Sequence, residues 1–92
     1  MNTKKQPIKF SIITRIFSEN RILYIRITYL KMTAEVSTFV SVRMNNELDK
    51  QNFPFDADKK EKVINIIDEL KSYYHELKRN GLLKRPLDIK QA

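Results

Sequence analysis

Basic, hydroxyl and aromatic side chains recur along the first half of this 92-residue chain in a pattern that could bind a polyanion. Lysine and arginine pair with phosphate oxygens, and arginine also reaches two acceptors on the edge of guanine. Residues 1–43 contain eight basic and two acidic residues, which accounts for +6 of the chain's net charge of +7. Nucleic acid is the commonest ligand of such a surface. The candidate binding residues are Lys9, Ser11, Arg15, Arg21, Tyr24, Arg26, Thr28, Lys31, Ser37, Phe39 and Arg43.

The composition argues against several other chemistries. The chain has no cysteine, which excludes disulfides, thiolate metal ligands and thiol nucleophiles and suits a reducing cytoplasm, where we expect the protein to act. The single histidine, His75, cannot hold a metal ion alone, so we expect no metal site. We also expect no cofactor and no catalytic residue in this chain. No apolar run approaches the roughly 20 residues that cross a bilayer, and we expect no membrane partner.

Period-two alternation of apolar residues predicts three antiparallel strands that would place the basic side chains on one face of a sheet. The strands span residues 8–17, 22–29 and 34–42, and a turn near Lys31 and Met32 joins the second to the third. The opposite face would then form one side of the core. Its predicted inward side chains are Phe10, Ile12, Thr14, Ile16, Leu23, Ile25, Ile27, Tyr29, Ala34, Val36, Thr38, Val40 and Val42.

The first turn sets the predicted register of the sheet. Glu19 and Asn20 are polar and lie midway between the first two apolar runs, so we expect the turn to be centred on them. This register places Arg15 opposite Tyr24. A slip by one residue would bury Arg26, which favours the predicted face assignment strongly.

A helix is predicted to cover the apolar face of the sheet, because apolar residues recur at spacings of three and four after residue 58. Asp58 with Glu61 resembles a capping pair at the start of this helix. Gly81, which follows Lys78 and Arg79, is suited to the left-handed residue that ends a helix. The stripe consists of Val63, Ile67, Leu70, Tyr74 and Leu77.

These elements predict an α+β fold in which a three-stranded antiparallel sheet packs against one C-terminal α-helix. Residues 1–7 are polar and basic and are predicted to be a mobile arm. Residues 8–81 would form the domain. Residues 82–92 include Pro86 and are predicted to be a linker that leads out of it.

The strand segments also resemble a known family. Phe10-Ser11-Ile12, the run Leu-Tyr-Ile-Arg-Ile-Thr at 23–28, and Ala-Glu-Val-Ser-Thr at 34–38 are similar to the N-terminal arm-binding domain of tyrosine recombinases, in particular the integrases of Bacteroidetes mobile elements. The resemblance implies that the sheet enters the major groove of arm-type sites on double-stranded DNA. It places Arg26, Thr28 and Ser37 at matching outward positions, and Arg26 is the best candidate for a base contact.

The chain departs from the family pattern at three places. The family often has glycine in the second turn and in the third strand, where this chain has Met32 and Phe39, and often has Trp-Asp where Leu48-Asp49 stands here. The family's catalytic domain is a separate, larger unit, so we expect this chain not to be an enzyme by itself and residues 82–92 to lead toward the core-binding region. Implied partners are DNA, other integrase protomers and directionality factors.

Several alternatives stay open. The chain could be a protein-interaction module that adds a strand beside Val40 and Val42, or a single-stranded RNA-binding domain that stacks bases on Tyr24 and Phe39. Arg26 could pair with Glu35 across the sheet, which would leave it little binding role. The outward apolar side chains, Ile13 and Phe39, would either contact thymine methyl groups or be covered by residues 1–7 or 44–58.

Overall fold

The computed structural model describes residues 8–91, so the predicted arm at residues 1–7 lies outside the described residues. The structure confirms the α+β class: the strands form an antiparallel sheet in the order β1-β2-β3, and helices cover one face of it. In chain order the elements are β1 (Ile8–Phe17), β2 (Asn20–Tyr29), β3 (Met32–Val42), a 3₁₀ turn (Asn45–Glu47), α1 (Ala57–Arg79) and α2 (Pro86–Lys90).

The turn between β1 and β2 lies one residue earlier than predicted, and the register differs accordingly. Ser18 and Glu19 are its two central residues, and only Ser18 has a positive φ, at 58°, as in a type II′ turn. Ile12 therefore stands opposite Ile25, and the predicted register is wrong by two residues. Because side chains alternate with period two, an even shift leaves every residue on its predicted face.

The turn between β2 and β3 consists of Leu30 and Lys31, one residue before the predicted position. Both have positive φ, at 54° and 66°, which is the pattern of a type I′ hairpin turn. Most residues with a Cβ atom are strained in this region, whereas Gly and Asn tolerate it, and Asn-Gly is the sequence that usually occupies such a turn. The turn is therefore built from residues that do not favour its backbone.

Replacing both turn residues, as Leu30→Asn/Lys31→Gly, is expected to raise the free energy of unfolding by about 1–2 kcal/mol, because Asn and Gly tolerate positive φ. Both side chains are exposed, so no buried contact is lost. Urea unfolding followed by circular dichroism measures the change. Met32→Gly, one residue further along in β3, is the matched control and should lower stability. A similar gain from both variants would contradict strain in the turn.

The core lies between the inner face of the sheet and the two helices. Leu23, Ile25 and Ile27 of β2 are fully buried, as the alternation predicted. Helix α1 contributes Val63, Leu70 and Tyr74 of the predicted stripe. Dispersion contacts among these side chains, together with the removal of their apolar surface from water, supply most of the stability of a domain of this size.

Ile16 was predicted to face the core, but 67% of its surface is exposed. It stands opposite Arg21 near the last residues of β1. The helices pack chiefly against β3, which is the strand at the opposite edge of the sheet from β1. Nothing in the described part of the chain therefore covers this end of β1. The inward prediction for Ile16 is therefore wrong, although its position in the alternation is as expected.

Both ends of α1 have identifiable caps. Asp56 is the N-cap, and its carboxylate accepts a hydrogen bond from the backbone N–H of Lys59 at 3.0 Å. The predicted cap at Asp58 is wrong, since that residue lies within the first turn. Gly81 has φ of 70°, and Leu82 N–H donates to the Leu77 carbonyl at 2.9 Å, which completes the predicted left-handed end.

The segment predicted to be a linker instead belongs to the domain. Pro86 and Ile89 of α2 are fully buried and pack against the inner face of the sheet, mainly at β3. Asp88 anchors the start of α2, because its carboxylate accepts backbone N–H groups of Lys84 and Arg85 at 2.9 and 2.8 Å. These bonds hold the pKa of Asp88 below its usual range. The correction extends the domain from residue 81 to residue 90.

Candidate nucleic-acid interface

The face of the sheet turned away from the helices carries most of the predicted binding residues. We call it the outward face: residues 9, 11, 13 and 15 of β1, residues 22, 24, 26 and 28 of β2, and residues 33, 35, 37, 39 and 41 of β3. The predicted binding residues on it are Lys9, Ser11, Arg15, Tyr24, Arg26, Thr28, Ser37 and Phe39. Cross-strand pairing brings Ser11 beside Arg26 and Lys9 beside Thr28.

Glu35 holds the two arginines at the centre of the outward face. It stands directly opposite Arg26, whose Nη2 lies 3.1 Å from Glu35 Oε2. Arg15 reaches the other carboxylate oxygen, with Nε 3.1 Å from Oε1. The pairing of Arg26 with Glu35, one of the alternatives from the sequence, is thus present in the structure. One carboxylate neutralises one of two guanidiniums, so the cluster keeps a net positive charge.

The ionisation of this cluster follows from its hydrogen bonds. The Arg15 hydrogen bond is the main cause that lowers the pKa of Glu35, while partial burial opposes it and the Arg26 bond adds to it. The same contact with Glu35 raises the pKa of Arg15. Glu35 therefore stays ionised at neutral pH and keeps both arginines oriented.

Tyr24 supports Arg15 from below. The guanidinium carbon of Arg15 lies 5.8 Å from the centre of the Tyr24 ring, within cation–π range, although the register sets Ile13 opposite Tyr24. The predicted contact between the two side chains exists, but it does not arise from direct cross-strand pairing. Tyr24 is half-buried beneath this contact and positions the arginine.

A bulge in β3 presents Phe39. Ser37 pairs with Tyr24 and Ser41 with Ile22, so three residues of β3 stand against the single residue Leu23. Phe39 is the middle residue of the three; its φ is 58°, and 90% of its surface is exposed. The loop at residues 44–58 does not cover it, contrary to one alternative from the sequence.

Three hydrogen bonds fix the bulge. The Thr38 hydroxyl, which is buried, donates to the Leu23 carbonyl at 2.8 Å and accepts the Val40 N–H at 3.0 Å. The Phe39 N–H donates to the Ser37 hydroxyl at 3.1 Å. The backbone around Phe39 is therefore held in one conformation, and no residue in this stretch carries a sequence signal that would predict it.

The remaining predicted residues lie at the two ends of the sheet. Arg21 donates to the backbone carbonyl of Arg43 at 3.0 Å, and Arg43 approaches Glu19 at 3.4 Å. Lys31 lies in the turn at the opposite end. The structure thus groups Arg21 with Arg43 but separates both from Lys31.

The free edge of β1 is partly closed by the loop that precedes α1. The side-chain amide of Asn52 donates to the Ile12 carbonyl at 2.8 Å. A cavity of about 370 Å³ lies beside this contact, between Phe10 and Phe53. Within residues 8–91 no group of three acidic or histidine side chains could hold a metal ion. Neither helix in the same range has the length and apolar character to pass through a bilayer.

No protein-family model, curated protein or solved structure matches this chain.

Proposed function

We propose that the outward face binds double-stranded DNA in the major groove, as the arm-binding domain of a tyrosine recombinase-type integrase. The observation that carries the proposal is the placement of Lys9, Arg15 and Arg26 together on the sheet face that the helices leave open. The hydroxyl-bearing residues Ser11 and Thr28 lie directly opposite Arg26 and Lys9, respectively. Phosphate contacts by such groups position a protein on DNA, while side chains between them read base edges.

The dimensions of the sheet suit the groove. A major groove about 12 Å wide admits a ribbon of two strands, so two neighbouring strands of this three-stranded sheet, about 4.8 Å apart, fit within it. Tyr24, Arg26 and Thr28 project from the central strand at every second residue, so neighbouring side chains are about 6.7 Å apart. This is close to twice the spacing of about 3.4 Å between successive bases. Arg26 lies at the middle of this row and is the candidate for a base contact.

At two positions this chain has a different residue type from the one that the family often has, yet the local structure there fits the family's residue. The family often has glycine at the position of Phe39, and Phe39 adopts a left-handed backbone, with φ of 58°, of the kind that glycine favours. The family often has tryptophan at the position of Leu48, which is buried in the core here. Arm-type sites, partner integrase protomers, directionality factors, a cytoplasmic location and a catalytic domain elsewhere are further parts of this proposal.

The two alternatives have less support. Strand addition at β3 is hindered because the bulge interrupts the edge, Val40 and Val42 are buried, and Lys59 Nζ already donates to the Ser41 carbonyl at 2.8 Å. Base stacking on Tyr24 and Phe39, as in single-stranded RNA binding, would have to displace Arg15 from the Tyr24 ring, which leaves Phe39 as the one ring of the two that is open to a base.

A titration of a fluorescent mixed-sequence duplex at several salt concentrations tests the proposal. We expect the logarithm of affinity to fall with the logarithm of salt concentration at a slope of about −0.9 per phosphate contacted, or roughly −4.5 for about five contacts. Arg26→Ala should weaken binding by about ten-fold and, if Arg26 reads a base, relax selectivity among sequences.

Lys71→Ala is the control for that titration, since Lys71 is an exposed cation on α1 and lies away from the outward face. It should leave affinity and slope nearly unchanged. Binding that does not depend on salt, or tighter binding to single-stranded RNA than to duplex DNA, would exclude the proposed function. An unchanged Arg26→Ala variant would remove that residue alone from the site.

A further inference from the structure

Phe39 combines two features that a residue without a binding role would avoid. A bulky side chain resists the left-handed region in which its φ of 58° lies, and 90% of its surface is exposed to water. If the bulge needed only this backbone, glycine or asparagine would provide it with less strain and with no exposed apolar ring. Strained residues on a rigid support are concentrated at binding sites.

The surroundings of Phe39 indicate the chemistry of its partner. It belongs to the outward face, between the row of Tyr24 and Ser37 and the row of Ile22 and Ser41. That face carries Arg15, Arg26 and Lys9 and so favours a polyanion. The phenyl ring offers no hydrogen-bond donor, so it suits an apolar group within an otherwise polar and anionic ligand.

We infer that Phe39 contacts the C5-methyl group of a thymine in the major groove and selects a T·A pair at one position of the site. This inference rests on the proposed function and adds a specificity-determining residue to it. Among base edges in the major groove, only thymine presents a methyl group, while the other groups are hydrogen-bond donors and acceptors. The bulge displaces Phe39 from the regular strand and leaves its ring exposed, so the ring is free to contact one base edge while Arg26 contacts another and Lys9 and Arg15 meet phosphates.

Ile13, the other apolar candidate from the sequence, is half-buried in the row with Tyr24. Its side chain is partly covered by its neighbours, whereas Phe39 stands clear of them. The hydrogen bonds of Thr38 to Leu23 and Val40 fix the backbone on both sides of the ring. The backbone that carries the Phe39 ring is therefore already fixed before any ligand binds, which reduces the backbone entropy lost on binding.

The test begins with duplexes that the wild-type chain enriches from a randomised duplex pool. In each enriched duplex, single thymines are replaced by deoxyuridine, which lacks only the methyl group. We expect one replacement to weaken wild-type binding by about four-fold, the fold-change that corresponds to roughly 0.8 kcal/mol for burying one methylene-sized group. The Phe39→Asn variant should bind both forms equally and should lose the thymine preference in its own enrichment.

Two controls separate this effect from misfolding and from loss of any exposed ring. Asparagine tolerates positive φ, so Phe39→Asn should unfold at a temperature no lower than the wild type. Phe55→Asn removes an exposed phenylalanine that lies outside the sheet, in the segment before α1, and should respond to deoxyuridine as the wild type does.

The outcomes distinguish this inference from the proposed function. If the wild type enriches no duplex and shows no salt-dependent binding, the proposed function fails, and the inference with it. If duplex binding is present but Phe39→Asn keeps the wild-type thymine preference and deoxyuridine response, only the inference is overturned. Tighter binding to single-stranded oligonucleotides that is lost in Phe39→Asn would also overturn it, in favour of base stacking.

Discussion

The Ile89→Ala variant is expected to lose about 3 kcal/mol of the free energy of unfolding. Ile89 lies in α2 and is fully buried against the inner face of the sheet. Removing three carbon atoms from such a site costs their transfer free energy and leaves a cavity that the surroundings fill only in part, which together amount to about 2–5 kcal/mol. The free energy of unfolding of a native domain is typically about 5–15 kcal/mol. A loss of about 3 kcal/mol should therefore lower the urea midpoint of unfolding clearly.

Leu82→Ala is the matched control for Ile89→Ala. Leu82 follows the left-handed end of α1 and 59% of its surface is exposed, so its truncation should change stability by no more than about 0.5 kcal/mol. Equal losses from the two variants would contradict the special burial of Ile89. Removal of residues 82–92 with no loss of stability would restore the original prediction that this segment is a linker.

The strands and their faces could be predicted because the alternation of apolar residues is nearly unbroken. Leu23, Ile25 and Ile27 are fully buried, and the outward residues of the same strand, such as Arg26, lie on the open face. Each strand residue lies on its predicted face of the sheet even though the predicted register of β1 and β2 is wrong, because the register differs by two residues. Local periodicity thus carries the information that decides which side chains could meet a ligand.

The features that the sequence did not predict depend on backbone conformations without their usual residues, or on distant contacts. Ser18, Leu30 and Lys31 adopt positive φ without glycine, so both turns lie one residue before the predicted positions. The bulge at Phe39 has the same cause. Helix α2 has only five residues, and its formation depends on the burial of Ile89 by the sheet, which no local pattern reveals.

The candidate site was predictable in position but not in detail. The sequence placed the cations on one face, and it raised the pairing of Arg26 with Glu35, which the structure contains. It did not anticipate that Arg15 of β1 would reach the same carboxylate on β3. That contact joins β1 to β3 across the central strand, and it depends on the length of the arginine side chain and on the support of the Tyr24 ring.

Glu35→Gln is expected to increase affinity for duplex DNA by about ten-fold near 0.15 M salt. The wild-type carboxylate accepts hydrogen bonds from Arg15 and Arg26 and also repels phosphate. Glutamine keeps the size and an acceptor oxygen but removes the charge, so both guanidiniums become available for phosphate or base contacts. The salt slope should steepen by about 0.9 for each new phosphate contact, which the duplex titration measures.

Lowering the pH from 7 to about 5 is not expected to reproduce the effect of Glu35→Gln, because it does not protonate the Glu35 carboxylate. The pKa of Glu35 is lowered in the folded chain, chiefly by the Arg15 hydrogen bond, so the carboxylate stays ionised between pH 7 and about 5. The stabilisation from this lowered pKa is present above the unfolded-state pKa and is lost as the pH falls through the folded-state value. We therefore expect the wild type to show no gain in affinity over that pH range from release of the arginines.

Glu19→Gln is the matched control because it removes the same charge from a pair that is largely exposed, with Arg43 at 3.4 Å. The change in net charge is common to both variants, so an excess gain in Glu35→Gln reports release of Arg15 and Arg26 specifically. Equal gains would mean that the central arginines are already free to bind in the wild type. Weaker binding by Glu35→Gln would mean instead that the carboxylate orients the guanidiniums for DNA, because loss of that order then outweighs the lost repulsion.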